Sequence, residues 1–217
     1  MGTQYKASYK SRIIRDLVRE KLVDSGAVSF QLSSPKLLGS RLETPVVIDN
    51  QKFQSTPVEW RDVIDALLCT LKDEAVNADV IAGIDVSSSM LAQAVAYRLG
   101  LPAVTVYLRG GPDRARIDGE AVAGRRVVII EDHVSTGHCA AWSASLLRGA
   151  GATVEDIVTV TSFDLEVMKK RMTEDTLTVH EVIDFAEVIE TAVKKNIISA
   201  EEKKHVVQWL MAPTFKA

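Results

Sequence analysis

Apolar positions recur along the chain with two different periods, and the switches between them set the order of elements. From Ser11 to Val23, the residues Ile13, Ile14, Leu17, Val18 and Leu22 fall at helical spacing and Gly26 supplies a stop, which predicts an amphipathic first helix. Residues 27–54 break into short extended pieces punctuated by Ser, Pro and Gly, ending in PVVID, which reads as a strand; they look like a small appended subdomain. Thr56, Pro57 and Glu59 form a capping-box pattern with proline at the first helical position, predicting a helix to about Ala75. A repeating order follows. DVIAGI reads as a buried strand, SMLAQAVAYRLG as a helix stopped by Gly100, PAVTVYL as a strand, and then comes a Gly-Pro loop. RRVVII is a strand, residues 139–148 a helix, DIVTVTSF a further strand and TVHEVI another, while Ser199 and Glu202 cap a last helix through Trp209. Strands alternating with helices predict an α/β fold with a parallel sheet covered on both faces.

Length and composition narrow this reading. At 217 residues, against about 150 per domain, the chain is read as a single domain over 1–217. Its parts are a hood at about 27–54, an α/β core at about 56–180 and C-terminal helices at about 181–217. Hydrophobic residues make up 47% and charged residues 25%, a balance that excludes a disordered chain. A net charge of -3 gives no general electrostatic reason to bind nucleic acid, and no DNA-binding module is recognisable. Cys69 and Cys139 are too few for a disulfide framework. The start MGTQYKASYK lacks the apolar core of a signal peptide, and Lys6 stands where a myristoylation signal needs Ser or Thr. No apolar run reaches about 18 residues, so no membrane span is expected and the cytoplasm is the expected location.

The chemistry concentrates in RRVVIIEDHVSTGHCA, residues 125–140. In open α/β sheets ligands bind beyond the carboxyl ends of the strands, so the segment after VVII lies where a site belongs. Ser135, Thr136, Gly137 and His138 would offer consecutive amides and two hydroxyls at a helix N-terminus, a nest suited to a phosphate. Glu131 and Asp132, read as the other end of the same turn, would repel a phosphate and suit vicinal hydroxyls. A sugar phosphate satisfies both ends. Capping of a turn by Asp132, with both acids solvated, is the alternative for an acid pair taken alone. No Gly-Lys-Ser or Gly-Lys-Thr follows, so this is not a Walker loop.

VVIIEDHVSTG resembles the phosphoribosyl pyrophosphate (PRPP) motif of the type I phosphoribosyltransferases, and the element order is most similar to the orotate branch. SGAVSFQLSS and ETPVVID look like that branch's N-terminal hood, IAGIDVSSSMLAQAVAYRLGLPAV like its pyrophosphate loop and following helix, and NIISAEEKKHVVQWL like its C-terminal helix. The resemblance implies a Rossmann-like core and transfer of ribose 5-phosphate from PRPP to a base, with release of pyrophosphate. It implies ribose hydroxyls on Glu131 and Asp132, and the 5-phosphate on Ser135, Thr136, Gly137 and His138. Asp85, Val86, Ser87 and Ser88 match the pyrophosphate loop. Mg²⁺ is implied between pyrophosphate and ribose oxygens, held mainly by PRPP with no direct protein site, and a homodimer in which a cationic loop crosses to the partner's site.

Two departures from the family pattern follow. The loop YLRGGPDRARIDGEAVAG has no lysine or histidine; its cations are Arg109, Arg114 and Arg116. Arginine stabilises phosphate charge but, with a pKa above about 12, transfers no proton. The loop is read as a hinged lid, against the alternative of a solvent loop with scattered charge. Where the orotate branch commonly has an arginine for the substrate carboxylate, this chain has Leu165; Lys36 or Arg41 is the expected replacement cation. These departures motivate two rivals to an orotate enzyme: a PRPP-binding regulator without catalysis, and a transferase for another base. Cys139, with no base beside it, reads as a half-buried helix residue. His133, His138, His180 and His205 lack metal-ligand spacing, and Trp60, Trp142 and Trp209 read as packing anchors on helices.

Overall fold

The computed structural model describes residues 9–119 and 121–216. Residues 1–8, on which the leader and acylation readings rest, and Glu120 of the arginine loop lie outside the described residues. Helix α1 runs Tyr9–Asp24 and ends at Gly26, whose φ of +66° an L side chain rarely adopts. Its core-facing residues are Val18, Leu22 and Val23, while Ile13 and Leu17 of the predicted stripe stay largely outside. Short strands follow: β1 Val28–Phe30, β2 Lys36–Leu37, β3 Leu42–Thr44 and β4 Val46–Ile48. Helix α2 spans Pro57–Asp73, but the predicted capping box does not form. The Thr56 amide already donates to Phe53 O at 3.1 Å, closing a 3-10 turn over Asn50–Ser55, and so is taken before Glu59 can accept from it.

The core follows in the predicted order, with additions: β5 Val80–Ile84, α3 Asp85–Leu99, β6 Ala103–Tyr107, β7 Arg116–Gly119, β8 Val127–Val134, α4 His138–Gly149, β9 Asp156–Ser162, α5 Glu166–Glu174, β10 Thr178–Ile183, α6 Phe185–Lys194, α7 Ala200–Met211 and β11 Thr214–Phe215. Among the described residues the main sheet has six strands in the order β10-β9-β8-β5-β6-β7. Every pairing is parallel except β6 with β7, which is antiparallel. All five residues of β5 and the first five of β8 are buried, which is why these strands read as continuous apolar runs. The chain leaves β5 toward β6 and returns on the other side of β5 as β8. The strand order therefore reverses between β5 and β8, and a crevice opens at their carboxyl ends.

The hood closes over that crevice. β1 pairs with β4, and β3 pairs with β2 on one side and with β11, from the chain's far end, on the other. Trp209 of α7 donates from Nε1 to Glu43 O at 2.8 Å and packs edge-on to Phe163 at 5.1 Å, tying hood to core. The last helix begins with the predicted box: Ser199 Oγ accepts from Glu202 N, and the Glu202 carboxylate accepts from Ser199 N. No helix among the described residues is long and apolar enough to cross a membrane.

Gly83 sets how closely α3 sits on the sheet. A Cβ there would lie 2.4 Å from the Ser89 backbone, far inside contact distance. Gly83→Ala is expected to lower the free energy of unfolding by about 1–3 kcal/mol, read from urea unfolding curves; an unchanged midpoint would contradict the close approach.

Candidate active site

The two acids are not in the turn after the strand, as the sequence suggested, but within β8 itself, with Glu131 in register with Thr159 of β9. The apolar run continues in the backbone ladder although the side chains change character. Likewise Asp85, Val86, Ser87 and Ser88 do not form a loop. They are the first turn of α3, entered through Asp85 at φ +48°. That helical turn brings Ser88 to the acid pair. Its hydroxyl donates to Asp132 Oδ1 at 3.1 Å, lies 3.5 Å from Glu131 Oε2, and accepts from Asp132 N at 3.3 Å. Asp132 Oδ1 also accepts from His133 N at 3.0 Å. Asp85 Oδ1 accepts from the amides of Leu108 and Arg109 at 3.0 and 3.3 Å, pinning the start of the arginine loop to the start of α3.

Glu131 is buried. Its burial first, and then the Asp132 charge, hold its carboxyl well above the usual carboxylate range; the Ser88 hydroxyl works the other way. Burial raises Asp132 as well, opposed by its bonds from Ser88 and His133. Two side chains without a sequence signal support the pair and its turn. Asn50 donates from Nδ2 to Asp132 O at 2.6 Å, linking the hood to the strand end. Arg171 of α5 donates from Nη1 to Thr136 O at 2.6 Å, fixing the turn before α4.

In that turn Gly137 has φ +70°, and a Cβ on it would meet Met172 Cε at 2.7 Å and Met168 Cγ at 3.3 Å. The backbone angle demands glycine, while Met172, whose flexible end makes the nearest contact, could shift aside. Helix α4 begins at His138, so its first amides have no intrahelical acceptor, an arrangement that favours an anion. A cleft of about 630 Å³ joins these parts. Its lining includes Asp85 and Arg109, Glu131 and His133, Ser135 to His138, and Leu38, Gly39 and Ser40 from the hood. Asp132, Val86, Ser87 and Ser88 sit beside this lining, the first and last joined by their hydrogen bond.

The three loop arginines are placed differently. Arg109 lines the cleft, with Nε 4.0 Å from Asp85 Oδ2. Arg114 packs its stem against Gly110. Arg116 lies on β7, donates to both Asp118 oxygens at 3.1 Å and stacks over Tyr107 at 4.2 Å. Part of the segment read as a loop is thus a hairpin strand. Leu165 is buried in the core at the start of α5. Of the two hood cations, Lys36 is exposed on β2, whereas Arg41 lines a neighbouring cavity of about 440 Å³ with Thr136, His138 and Arg171. Cys139 is exposed rather than half-buried as a residue. Local burial and then the charges of Glu131 and Asp85 push its thiol up to about 11, which keeps it protonated. Trp142 packs against the core and also lines the cleft.

His133 lacks metal-ligand spacing in the sequence, yet the structure gives it a specific place. Nδ1 lies 3.1 Å from Thr161 O and 3.2 Å from Thr161 Oγ1, the ring meets Phe163 edge-on at 4.3 Å, and burial pushes its pKa down to about 3. Among the described residues Nε2 has no partner. An enclosed polar atom left so costs about 1–3 kcal/mol.

No protein-family profile matches the chain. It is 31% identical over 200 residues to the orotate phosphoribosyltransferase of Bacillus caldolyticus, covering 90% of this chain and 96% of that protein. Among solved structures, Leishmania donovani UMP synthase superposes with a TM-score of 0.76 at 26% identity, over 94% of this chain and 42% of the other. Orotate phosphoribosyltransferase from Aeropyrum pernix superposes with a TM-score of 0.71 at 21% identity, over 84% and 99%.

The raised acid predicts a pH dependence. Above about pH 4 an unfolded glutamate ionises while folded Glu131 keeps its proton, so the folded state binds more protons and native stability falls as pH rises. The fall ends once Glu131 ionises in the folded protein. The native protein is therefore expected to lose stability relative to Glu131→Gln from pH 4 upward in urea titrations; parallel curves would contradict the assignment.

Proposed function

Because the chain belongs to the type I phosphoribosyltransferases and is closely related to the orotate phosphoribosyltransferases, we propose that it transfers ribose 5-phosphate from PRPP to a pyrimidine-type base, converting orotate to orotidine 5′-monophosphate and releasing pyrophosphate. Transfer of a ribose-phosphate group comes with the family; the base is our reading. One observation carries it: buried Glu131 and the amide-rich turn Ser135–His138 line a single cleft, and Asp132 is joined to Glu131 through the Ser88 hydroxyl.

In the reaction the bond from ribose C1 to pyrophosphate breaks with its electron pair leaving on pyrophosphate, and a base nitrogen forms the new bond to C1. The positive charge developing on the sugar makes positioning and electrostatics the protein's main tasks. Glu131 and Asp132 grip the 2- and 3-hydroxyls, and Ser135, Thr136, Gly137 and His138 hold the 5-phosphate. The first turn of α3, Asp85 to Ser88, receives pyrophosphate, with Arg109 beside it. Arg114 and Arg116 join only when their segment folds over the cleft, from the same subunit or from the partner in a homodimer. Among the described residues no group of three or more His, Cys, Asp or Glu is placed to hold a metal; a Mg²⁺ ion would be carried mainly by PRPP and water, as such ions commonly are. When bound, such an ion would supply positive charge that offsets the charge on pyrophosphate. The exposed side chains of Val86, Met90 and Tyr97 share one face of α3 and support the homodimer reading.

The buried Leu165 favours a second reading in which the base has no carboxylate; otherwise Arg41, lining the cavity beside the phosphate turn, is the replacement cation. Calorimetric titration of PRPP with Mg²⁺ is expected to show binding to the native protein, weakened at least about tenfold in Asp132→Asn. Negligible binding to both would sink the reading. Turnover over orotate, uracil and purines then selects the base, and PRPP binding without any turnover would favour a regulator. Arg109→Ala is expected to lower kcat by about a hundredfold and Arg116→Ala by much less; equal losses would show that the whole loop closes. Light scattering is expected to report a native dimer and a shift toward monomer in Tyr97→Glu.

A further inference from the structure

Arg41 and Arg171 reach one cavity from distant parts of the chain. Arg41 stands on the hood turn between β2 and β3, which its own amide closes by donating to Leu38 O at 2.9 Å, and its carbonyl accepts from Lys216 N at 3.0 Å. Its φ is +62°, a left-handed angle that glycine takes at lower cost, so the turn carries an arginine in spite of its backbone. Arg171 comes from α5, and the bond from its Nη1 to Thr136 O at 2.6 Å holds the guanidinium beside the turn Ser135–His138. That bond uses one of five N–H donors.

The charge gathered there has no internal counterpart. Elsewhere arginines lie beside carboxylates, as Arg19 does with Asp16 at 2.8 Å and Arg98 with Asp65 at 2.9 Å. Among the described residues neither Arg41 nor Arg171 has such a partner, and the lining of their cavity, about 440 Å³ in volume, includes no acid. Two like charges at one cavity repel each other, and an anion between them replaces that repulsion with two attractions. The guanidinium fork matches phosphate in particular. Thr136 and His138 line this cavity and the cleft alike, so the two spaces are neighbours with a common wall.

We propose that this cavity is a second anion site beside the cleft, in which Arg41 and Arg171 hold a phosphate group. Inorganic phosphate and the phosphate of a nucleotide offer the same chemistry to the two arginines. The volume falls among small-molecule sites, which run from about 300 to 1,000 Å³, and Val167 and Phe215 add apolar surface that a bare ion does not use. A nucleotide is therefore expected to bind the more tightly of the two. The rival role for Arg41, toward a carboxylate on the acceptor base, makes a different prediction.

The test is calorimetric titration of inorganic phosphate and, separately, of uridine 5′-monophosphate into protein saturated with ribose 5-phosphate, which occupies the turn Ser135–His138 on the transferase reading. Native protein is expected to bind one further phosphate group per chain. Arg41→Gly, which the left-handed angle accommodates, is expected to weaken that binding about tenfold or more and to leave the affinity for ribose 5-phosphate within about twofold. Arg41→Lys, which keeps the charge and loses the fork, is expected to fall between the two. Tighter binding of the nucleotide assigns the site to nucleotides and equal binding assigns it to free phosphate; either result keeps the site. No binding beyond ribose 5-phosphate, or binding unchanged in Arg41→Gly, overturns the proposal. A raised KM for orotate in that variant, with the second phosphate still bound, gives Arg41 to the base and overturns it equally. Failure of ribose 5-phosphate to bind native protein sinks the reading of the turn instead, and phosphate titration of native protein against Arg41→Gly then decides the cavity alone.

Discussion

Two neighbouring carboxylates at the buried end of β8 are the constraint on which the rest of the site depends. Taking even one such charge out of water costs several kcal/mol unless hydrogen bonds or protonation relieve it, and Glu131 accordingly keeps its proton well beyond the usual range. Relief for Asp132 comes from the Ser88 hydroxyl and the His133 amide. Ser88 reaches that far only because α3 starts immediately after β5 and lies against the sheet at Gly83, where no side chain fits. A glycine in the middle of an apolar strand thus bears directly on the protonation of acids in the strand beside it. Hydrogen-bond donors reaching the pair would favour its ionised form.

The turn Ser135–His138 is built on different principles. Gly137 is required by a left-handed backbone angle, and the turn it makes is held from behind by Arg171. The hood is joined to the same machinery through Asn50 on Asp132 O and, at the far side, through Trp209 on Glu43 O and the pairing of β11 with β3. The C-terminal residues therefore share responsibility for the cleft's roof. A ligand in the cleft touches elements from both halves of the sequence, and its affinity reports on the hood as well as on the core.

Most of the core was legible because buried parallel strands announce themselves as apolar runs, and the acid pair followed by Ser-Thr-Gly is a rare string. What was misread was local. Periodicity cannot tell that the ladder of β8 continues through Glu131 to Val134, since the side chains there turn polar while the backbone pairing does not change. Asp85 to Ser88 read as a loop because polar residues near a strand end usually are one, whereas they open a helix through one positive φ. Helix α5 went unseen because only Met168 and Met172 of its charge-rich sequence are buried. Asn50, Arg171 and the anchored ring of His133 carry no local pattern at all. Their roles arise from contacts across 82, 35 and 28 residues of sequence, which only the fold brings together.

The central claim is that the acid pair reads sugar hydroxyls while the turn holds the phosphate. Its most direct measurement compares ribose 5-phosphate with 2-deoxyribose 5-phosphate in binding titrations to the native protein and to Glu131→Gln and Asp132→Asn. The account predicts that removing one hydroxyl weakens native binding by about tenfold and that the variants discriminate far less. Equal affinity of the native protein for the two sugars would contradict it.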